Sequence, residues 1–284
     1  MRLLLIATVL AALAATITVA GCGGTAEEPS TVGLDVVAAF YPLAFAAEEI
    51  GGEDVSVLDL TPPGVEPHDL ELAPDDVNRI EDADLVLYLG GGFQPAVEQA
   101  ALRSRGPVDL LEGFDLQADG GPHVWLDPAR YAEIVERLGR LLDGNDAAED
   151  LAGRLRDLDA EFENGLADCE RRVFVTSHAA FGHLADRYGL EEVSVAGIEP
   201  EAEPAPADLA DVVDRVRASG ATTVFVEPLA SPAIAETVAR EADIDVQTLD
   251  PLEGLTEEQL AAGEDYFSVM RANLAALREA LGCR

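Results

Sequence analysis

Lysine is absent from this chain, and histidine, cysteine and tryptophan are scarce. The 18 basic residues are all arginines and stand against 55 acidic ones, which gives a formal net charge of −37 at pH 7. A surface this negative argues against nucleic acid or anionic lipid as a binding partner. It resembles the surfaces of proteins adapted to high salt, where abundant carboxylates keep the protein hydrated.

Long hydrophobic runs are also rare, and the one of membrane-spanning length starts the chain. Arg2 precedes the apolar residues 3–20, and small residues precede a cysteine in Val19-Ala-Gly-Cys22. This pattern resembles the lipobox of bacterial lipoproteins. It predicts a signal peptide over residues 1–21, a lipid-modified Cys22 and a flexible tether over residues 22–31. An ordinary signal peptide or a single membrane helix is the alternative.

We therefore expect the rest of the protein to lie outside the cytoplasm, anchored to the cell membrane by lipid alone. In that oxidising compartment the two remaining cysteines, Cys169 and Cys283, form an even pair. A disulfide between them would stabilise the fold by up to roughly 4–5 kcal/mol, because it closes a long loop. Two buried free thiols are the alternative. A thiol one residue from the chain end has little to pack against, which favours the bridge.

The 284 residues suit one large domain or two smaller ones, and a hydrophobic content of 48% is typical of globular proteins. Apolar segments alternate with helical patterns, which indicates an α/β fold with mostly parallel sheets and helices on both faces. The predicted strands cover residues 34–40, 55–60, 84–89, 107–110, 172–177, 193–198, 222–226 and 246–249. Between the two groups of four, residues 147–166 carry apolar residues at helical spacing and predict a long connecting helix.

One of the four histidines lies at the end of a stiff turn. The segment Thr61-Pro-Pro-Gly-Val-Glu-Pro-His68-Asp-Leu-Glu71 follows a predicted strand. Its prolines restrict φ, and Gly64 permits a tight reversal of the chain. A surface turn with a solvated histidine is one interpretation, and a metal ligand on a rigid loop is the other.

Four residues share one kind of position along the chain. His68, His123, His178 and Asp250 each follow a predicted β element or directly precede a helix. Parallel α/β sheets bind ligands beyond the carboxyl ends of their strands, so these side chains are expected to face one crevice. Three imidazoles and one carboxylate form a ligand set that suits Zn²⁺. Each residue alone also has an ordinary structural interpretation, but their shared placement favours a metal site.

Four further side chains are secondary candidates near this site. His183 lies five residues after His178, about 140° round a helix, and we interpret it as a packing residue. Glu66 or Glu71 could supply an additional oxygen ligand. Asp69 could orient an imidazole from outside the metal's coordination sphere.

Eight stretches spread over nearly all of the expected mature chain form a recognisable series. They are Phe40-Tyr41-Pro42-Leu43, Pro63-Gly-Val-Glu-Pro-His68-Asp-Leu-Glu71, Asp84-Leu-Val-Leu-Tyr88, His123-Val-Trp-Leu-Asp-Pro128, Thr176-Ser-His178-Ala-Ala-Phe-Gly182, Arg187-Tyr-Gly-Leu190, Pro200-Glu-Ala-Glu-Pro204 and Asp265-Tyr-Phe-Ser-Val-Met-Arg-Ala-Asn273. In content and order they resemble the solute-binding proteins of ABC transporters for zinc and manganese.

This resemblance implies two (βα) lobes, each with a four-stranded, mostly parallel sheet, joined by one long helix. The N-terminal lobe would occupy residues 32–127, the helical connector residues 128–168 and the C-terminal lobe residues 169–284. The resemblance also implies that His68, His123, His178 and Asp250 hold a metal ion between the lobes. Such a protein is a receptor and not an enzyme, and it delivers the metal to a membrane permease. We expect it to be a monomer.

Zinc is the metal that this resemblance favours. Manganese-selective relatives tend to have glutamate where His178 stands, and imidazole suits Zn²⁺ better than Mn²⁺. One departure is the short stretch over residues 113–122, which has no histidine where many zinc-selective relatives carry a histidine-rich loop. Manganese or iron is the alternative within the same transporter class.

Two functions of other classes are also compatible with a metal-binding lipoprotein. A zinc hydrolase needs an open coordination position and a general base, for which Glu66 is the candidate. The sequence has no local motif such as His-Glu-x-x-His to support it. An adhesin-like surface lipoprotein would bind host molecules without metal, and no sequence feature supports that function.

Overall fold

Two parallel sheets and the helices that cover them form the part of the chain that the computed structural model describes, residues 33–114, 121–198 and 206–284. The predicted signal peptide, the predicted lipidation site Cys22 and the predicted tether lie outside these ranges, as do residues 115–120 and 199–205 of two acidic loops. Residues Gly33–Arg284 form one compact unit, so the boundaries of the two lobes stay predictions. No helix in the described ranges is long and apolar enough to cross a membrane.

The first sheet is built by the first half of the chain. Its strands are β1 (Leu34–Ala38), β2 (Val55–Asp59), β3 (Leu85–Tyr88) and β4 (Pro107–Asp109), in the order β2-β1-β3-β4. All neighbouring pairs are parallel, and Val36 of β1 lies opposite both Val57 and Leu85. The interior strands β1 and β3 are the apolar ones, because helices cover both of their faces.

The second sheet repeats this arrangement. Its strands are β5 (Val173–Thr176), β6 (Glu191–Ser194), β7 (Thr223–Val226) and β8 (Asp245–Thr248), in the order β6-β5-β7-β8, with all pairs parallel. The predicted α/β fold with two four-stranded sheets is therefore confirmed. The predicted strand over residues 193–198 begins and ends too late, since β6 pairs with β5 from Glu191 to Ser194.

Helices follow most strands and fill the faces of both sheets. The α-helices are α1 (Tyr41–Gly51), α2 (Pro74–Asp82), α3 (Pro95–Ala101), α4 (Pro128–Leu141), α5 (Asn145–Leu166), α6 (Gly182–Tyr188), α7 (Pro206–Ser219), α8 (Ala233–Ala242), α9 (Glu257–Ala262) and α10 (Tyr266–Leu281). Short 3₁₀ helices occupy Gly52–Asp54 and Val124–Leu126. The run Val124–Leu126, which follows His123, is therefore a helical turn.

A pair of helices joins the half with the first sheet to the half with the second. Helix α5 has 22 residues and extends about 33 Å at 1.5 Å per residue. Its buried face includes Leu151, Leu155 and Phe162, as its periodicity predicted. Helix α4 packs closely against it, because Gly139 leaves room where a Cβ atom would lie 2.4 Å from the Cβ of Ala148.

One hydrophobic core runs through both halves. Phe40 and Trp125 from the first half belong to the same buried cluster as Phe181 and Leu249 from the second. Tyr266 of α10 packs in this core against Tyr131 of α4, with ring centroids 4.7 Å apart. A smaller core contains Val175 and Val224 of the second sheet together with Val213 of α7 and Val238 of α8.

The predicted disulfide between Cys169 and Cys283 is present in the structure. It joins the segment after α5 to the end of α10, 114 residues later in the chain. A backbone hydrogen bond of 3.0 Å from Arg171 to the Leu281 carbonyl supports the same contact. The bridge thus fixes the end of the chain at the entrance to the second sheet.

Candidate metal centre

The loop after β2 carries His68 into the interior. Gly64 has φ +80°, the left-handed conformation that the tight reversal requires. Its amide donates a 3.0 Å hydrogen bond to the carbonyl of Leu255, so the loop is attached to a second loop from the other half. His68 is only 7% exposed, which excludes a solvated surface histidine.

His123 lies at the start of the 3₁₀ helix Val124–Leu126 and has no solvent exposure. Two hydrogen bonds attach the next turn to the second half of the chain. The indole N–H of Trp125 donates to the Pro251 carbonyl at 2.8 Å, and the hydroxyl of Tyr266 donates to the Trp125 carbonyl at 2.7 Å. Asp127 then caps α4 by accepting from the amides of Ala129 and Arg130.

His178 follows β5 by two residues and is also fully buried. Its Nδ1 lies 2.7 Å from Oε1 of Glu227, which follows β7, and the Ser177 hydroxyl donates to the same carboxylate. An imidazole Nδ1–H held by a carboxylate fixes the tautomer and directs Nε2 to the opposite side. Here Nε2 of His178 lies on the side of Glu253, 3.5 Å from its Oε1.

The three imidazoles converge on one carboxylate that the sequence did not suggest. Oε1 of Glu253 lies 3.2 Å from Nε2 of His68, 3.0 Å from Nε2 of His123 and 3.5 Å from Nε2 of His178. Within the described residues these four side chains are the one group of at least three potential metal ligands, with their ligating atoms all within 4.8 Å of one another. Glu253 is 1% exposed.

Asp250, the predicted fourth ligand, lies outside this group. Its carboxylate accepts from the amide of Leu252 at 2.8 Å and from the side chain of Gln259 at 2.7 Å. Asn273 bonds to both its amide and its carbonyl. Asp250 thus shapes the loop, in which Leu252 takes a positive φ of 54°, and the loop carries Glu253 inward.

The secondary candidates also lie outside the cluster. The carboxylate of Glu66 accepts from the amides of His68 and Asp69, at 3.2 and 3.3 Å, and so stabilises the turn. Burial and the charge of Glu253 raise the pKa of Glu66 to about 7. Asp69 and Glu71 are exposed. His183 is buried, with Nε2 at 2.9 Å from the Gly121 carbonyl.

Burial and mutual charge determine the protonation of the cluster. Burial lowers the pKa of His178, but Glu227 and Glu253 outweigh it and raise that pKa to about 10. Burial likewise opposes the charged form of His68, yet Glu253 leaves its pKa raised, whereas burial prevails at His123 and lowers its pKa. Burial favours the neutral form of Glu253, but hydrogen bonds from the three histidines hold its pKa well below the usual range.

This donor set fits a zinc ion. Donor atoms around a tetrahedral Zn²⁺ with bonds of about 2.0–2.1 Å are about 3.3 Å apart. The distances of 3.0–3.5 Å from Glu253 Oε1 to the three Nε2 atoms bracket that value. Three nitrogens and one oxygen complete a four-coordinate site without an open position for a reacting water.

Comparisons with known proteins agree with this chemistry. The family described as zinc-uptake complex component A, periplasmic, matches residues 36–280. Zinc-binding lipoprotein AdcA of Streptococcus pneumoniae (strain ATCC BAA-255 / R6) is 34% identical over 277 residues, covering 87% of this chain and 55% of that protein. The chain therefore spans about half the length of that relative. High-affinity zinc uptake system protein ZnuA of Bacillus subtilis (strain 168) is 30% identical, covering 93% of both chains.

The fold has a solved counterpart in the Zn(II)-bound ZnuA-like domain of Streptococcus pneumoniae AdcA. The two chains are 34% identical and superpose with a TM-score of 0.74. The match covers 88% of this chain and 99% of that domain. The likeness therefore includes both sheets and the residues between them.

Proposed function

This chain belongs to the family of periplasmic zinc-uptake complex components, and from that premise we propose that it captures Zn²⁺ outside the cytoplasm and delivers it to an ABC permease. The observation that carries the proposal is the convergence of three imidazole Nε2 atoms on Oε1 of Glu253. His68, His123, His178 and Glu253 are the proposed ligands. In this proposal zinc is the transported solute and not a catalytic cofactor.

The ligand set supports zinc over manganese. Imidazole nitrogen suits zinc, whereas Mn²⁺ prefers sites with more oxygen ligands. The relatives described above are named for zinc binding or zinc uptake. The hydrolase alternative loses its support because the four protein ligands would leave no position for an activated water.

Metal capture at this site should release protons. Nε2 of His68 and His123 lies within hydrogen-bond distance of Glu253, and the raised pKa of His178 keeps that imidazole charged at neutral pH. A metal ligand must offer an unprotonated nitrogen, so binding displaces these protons. Glu227 retains the Nδ1 proton of His178 and so leaves Nε2 for the metal.

We expect zinc affinity to fall by about 10-fold per pH unit for every proton displaced, since protons compete with the metal for the imidazoles. Calorimetric titration of the metal-free protein at pH 7 and pH 5 tests this, with buffers of different ionisation enthalpy to count the protons. Equal affinities at the two pH values would contradict ligation by histidine. Competition between Zn²⁺ and Mn²⁺ tests the cargo, and tighter binding of Mn²⁺ would overturn the choice of zinc.

The wider function follows from the family and from the sequence. We propose that lipid on Cys22 holds the protein at the outer face of the cell membrane, and that it acts there as a monomer with the permease as its partner. Membrane fractionation and mass spectrometry of wild type and Cys22→Ala test the anchor. A wild-type protein found entirely in the soluble fraction would contradict it.

A further inference from the structure

Helix α6 carries two side chains that reach the segment with His123. This segment, residues 121–127, runs from Gly121 to the Asp127 cap of α4 and is here called the His123 segment. His183 and Arg187 are four residues apart on α6, which places them on the same face of the helix. Helix α6 begins four residues after His178, so it belongs to the half that supplies the third histidine.

His183 holds the beginning of the His123 segment. Its Nε2 donates to the Gly121 carbonyl at 2.9 Å, two residues before His123. The side chain is 1% exposed, so the donor is shielded from water. Removing the donor would leave the carbonyl of the half-buried Gly121 without its partner, which weakens the contact between the two halves.

Arg187 holds the other end of the His123 segment. Its Nε lies 3.3 Å from Oδ1 of Asp127, the N-cap residue of α4. The same guanidinium makes a two-bond contact of 2.5 and 2.6 Å with Asp159 on α5, and the hydroxyl of Tyr188 donates to that carboxylate at 2.9 Å. Arg187 therefore connects the His123 segment both to the half with His178 and to the connecting helix.

From these contacts we propose that His183 and Arg187 are positioning residues that hold His123 in place relative to His178. Together they fix both ends of a seven-residue segment whose centre supplies a metal ligand. Neither side chain belongs to the ligand cluster, so they act through the backbone of the His123 segment. The inference rests on the proposed function. It means that His183 and Arg187 of α6 slow the release of bound zinc.

Matched variants separate this role from a general effect on stability. His183→Phe keeps a planar ring but removes the donor, whereas His183→Gln keeps an N–H that can reach the Gly121 carbonyl. Arg187→Gln loses the contacts with both Asp127 and Asp159. Its control is Arg271→Gln, because Arg271 makes an equivalent two-bond contact with Glu161 on α5, at 2.8 and 2.9 Å, without touching the His123 segment.

The readouts are the rate of zinc release to an excess of chelator and the visible spectrum of the Co²⁺-loaded protein, with thermal unfolding of each variant as a reference. We expect His183→Phe and Arg187→Gln to release zinc about 10-fold faster or more and to shift the Co²⁺ bands, as loss of partners that orient ligands does. His183→Gln and Arg271→Gln should keep the wild-type rate and spectrum.

Wild-type release rates and spectra in His183→Phe and Arg187→Gln would overturn the positioning role, and so would equal acceleration in Arg187→Gln and Arg271→Gln. Both results leave the proposed function intact, because the wild-type protein would still bind zinc tightly. A wild-type protein that binds neither Zn²⁺ nor Co²⁺ would instead refute the proposed function, and the positioning role with it.

Discussion

Two acidic residues of one loop, Asp250 and Glu253, have different roles although they are three residues apart. Asp250 accepts hydrogen bonds from Leu252 and Gln259 and shapes the loop. Glu253 accepts from the imidazoles and completes the cluster. The rule that sites form at strand ends identifies Asp250, because it directly follows the predicted strand over residues 246–249. It cannot identify Glu253, whose inward direction depends on the positive φ of Leu252.

Glu253→Gln should lower zinc affinity by more than about 100-fold, because it removes the one anionic ligand. Loss of a residue that only orients a ligand typically costs roughly 10- to 100-fold. Asp250→Asn is the matched control, since an amide can preserve the bond from Leu252 and the charge lost is not in the cluster. Competition with a chromophoric zinc chelator measures both. A larger loss in Asp250→Asn than in Glu253→Gln would restore Asp250 as the ligand.

At the scale of helices and strands, most of the fold was predictable because periodicity and turn residues agree. Three elements were not. Strand β6 includes the polar pair Glu191 and Glu192, and only its pairing with β5 extends it there. The run Val124–Leu126 is too short for periodicity to separate strand from helix. Helix α9 buries no residue and so carries no apolar pattern. The capping box formed by Thr256 and Gln259 does, however, indicate the start of a helix.

The site was predictable to a similar degree. His68 and His178 follow the carboxyl ends of parallel strands, and His123 lies in the turn before α4. Local sequence pattern was therefore enough to suggest all three histidines. Their shared carboxylate was not visible, because it depends on how a loop of the second half folds back. Helix α6 starts only at Gly182: residues 179–181 after His178 are not helical, and the amide of Ala179 bonds to the Gly197 carbonyl.

Strand β6 contributes a pH dependence through Glu192. Its carboxylate accepts from the Thr176 hydroxyl at 2.7 Å and the Phe181 amide at 3.1 Å, and burial raises its pKa from 4.5 to about 7. Between those two values the folded protein holds a proton that the unfolded chain has lost. The contribution of Glu192 to stability therefore decreases as the pH rises from about 4.5 to about 7.

Glu192→Gln should remove this contribution, because the amide oxygen can accept the same two bonds without a charge. We compare the zinc-free proteins by the melting temperature of the variant minus that of wild type. We expect this difference to be higher at pH 8 than at pH 5. Thermal unfolding at both pH values measures it. Glu163→Gln on the exposed face of α5 is the control and should show no such trend. A trend of opposite sign would contradict the raised pKa.

At the scale of the whole molecule, the disulfide and the shared hydrophobic core both hold helix α10 in place. The bridge from Cys169 to Cys283 joins the end of α10 to the segment after α5, and α10 contributes Tyr266 to the core. Neither cysteine belongs to the cluster of three histidines and Glu253. It should therefore affect stability without affecting metal binding.

The double variant Cys169→Ser, Cys283→Ser should lower the free energy of unfolding by roughly 2–5 kcal/mol, because the unfolded chain regains the freedom that the bridge removes. Urea denaturation of the zinc-free protein measures this change. Zinc affinity should stay within about 2-fold of wild type, which chelator competition checks. An unchanged free energy of unfolding would show that the bridge adds nothing.

The common core has a consequence for modularity. The two halves repeat one strand order, yet Phe40, Trp125, Phe181 and Tyr266 pack into a single interior. Either half made alone would expose the apolar face that the other covers, so neither is a transferable module. A backbone cut after the exposed Asp143, in the turn between α4 and α5, would leave two fragments that share one apolar interior, as the subunits of an obligate dimer do.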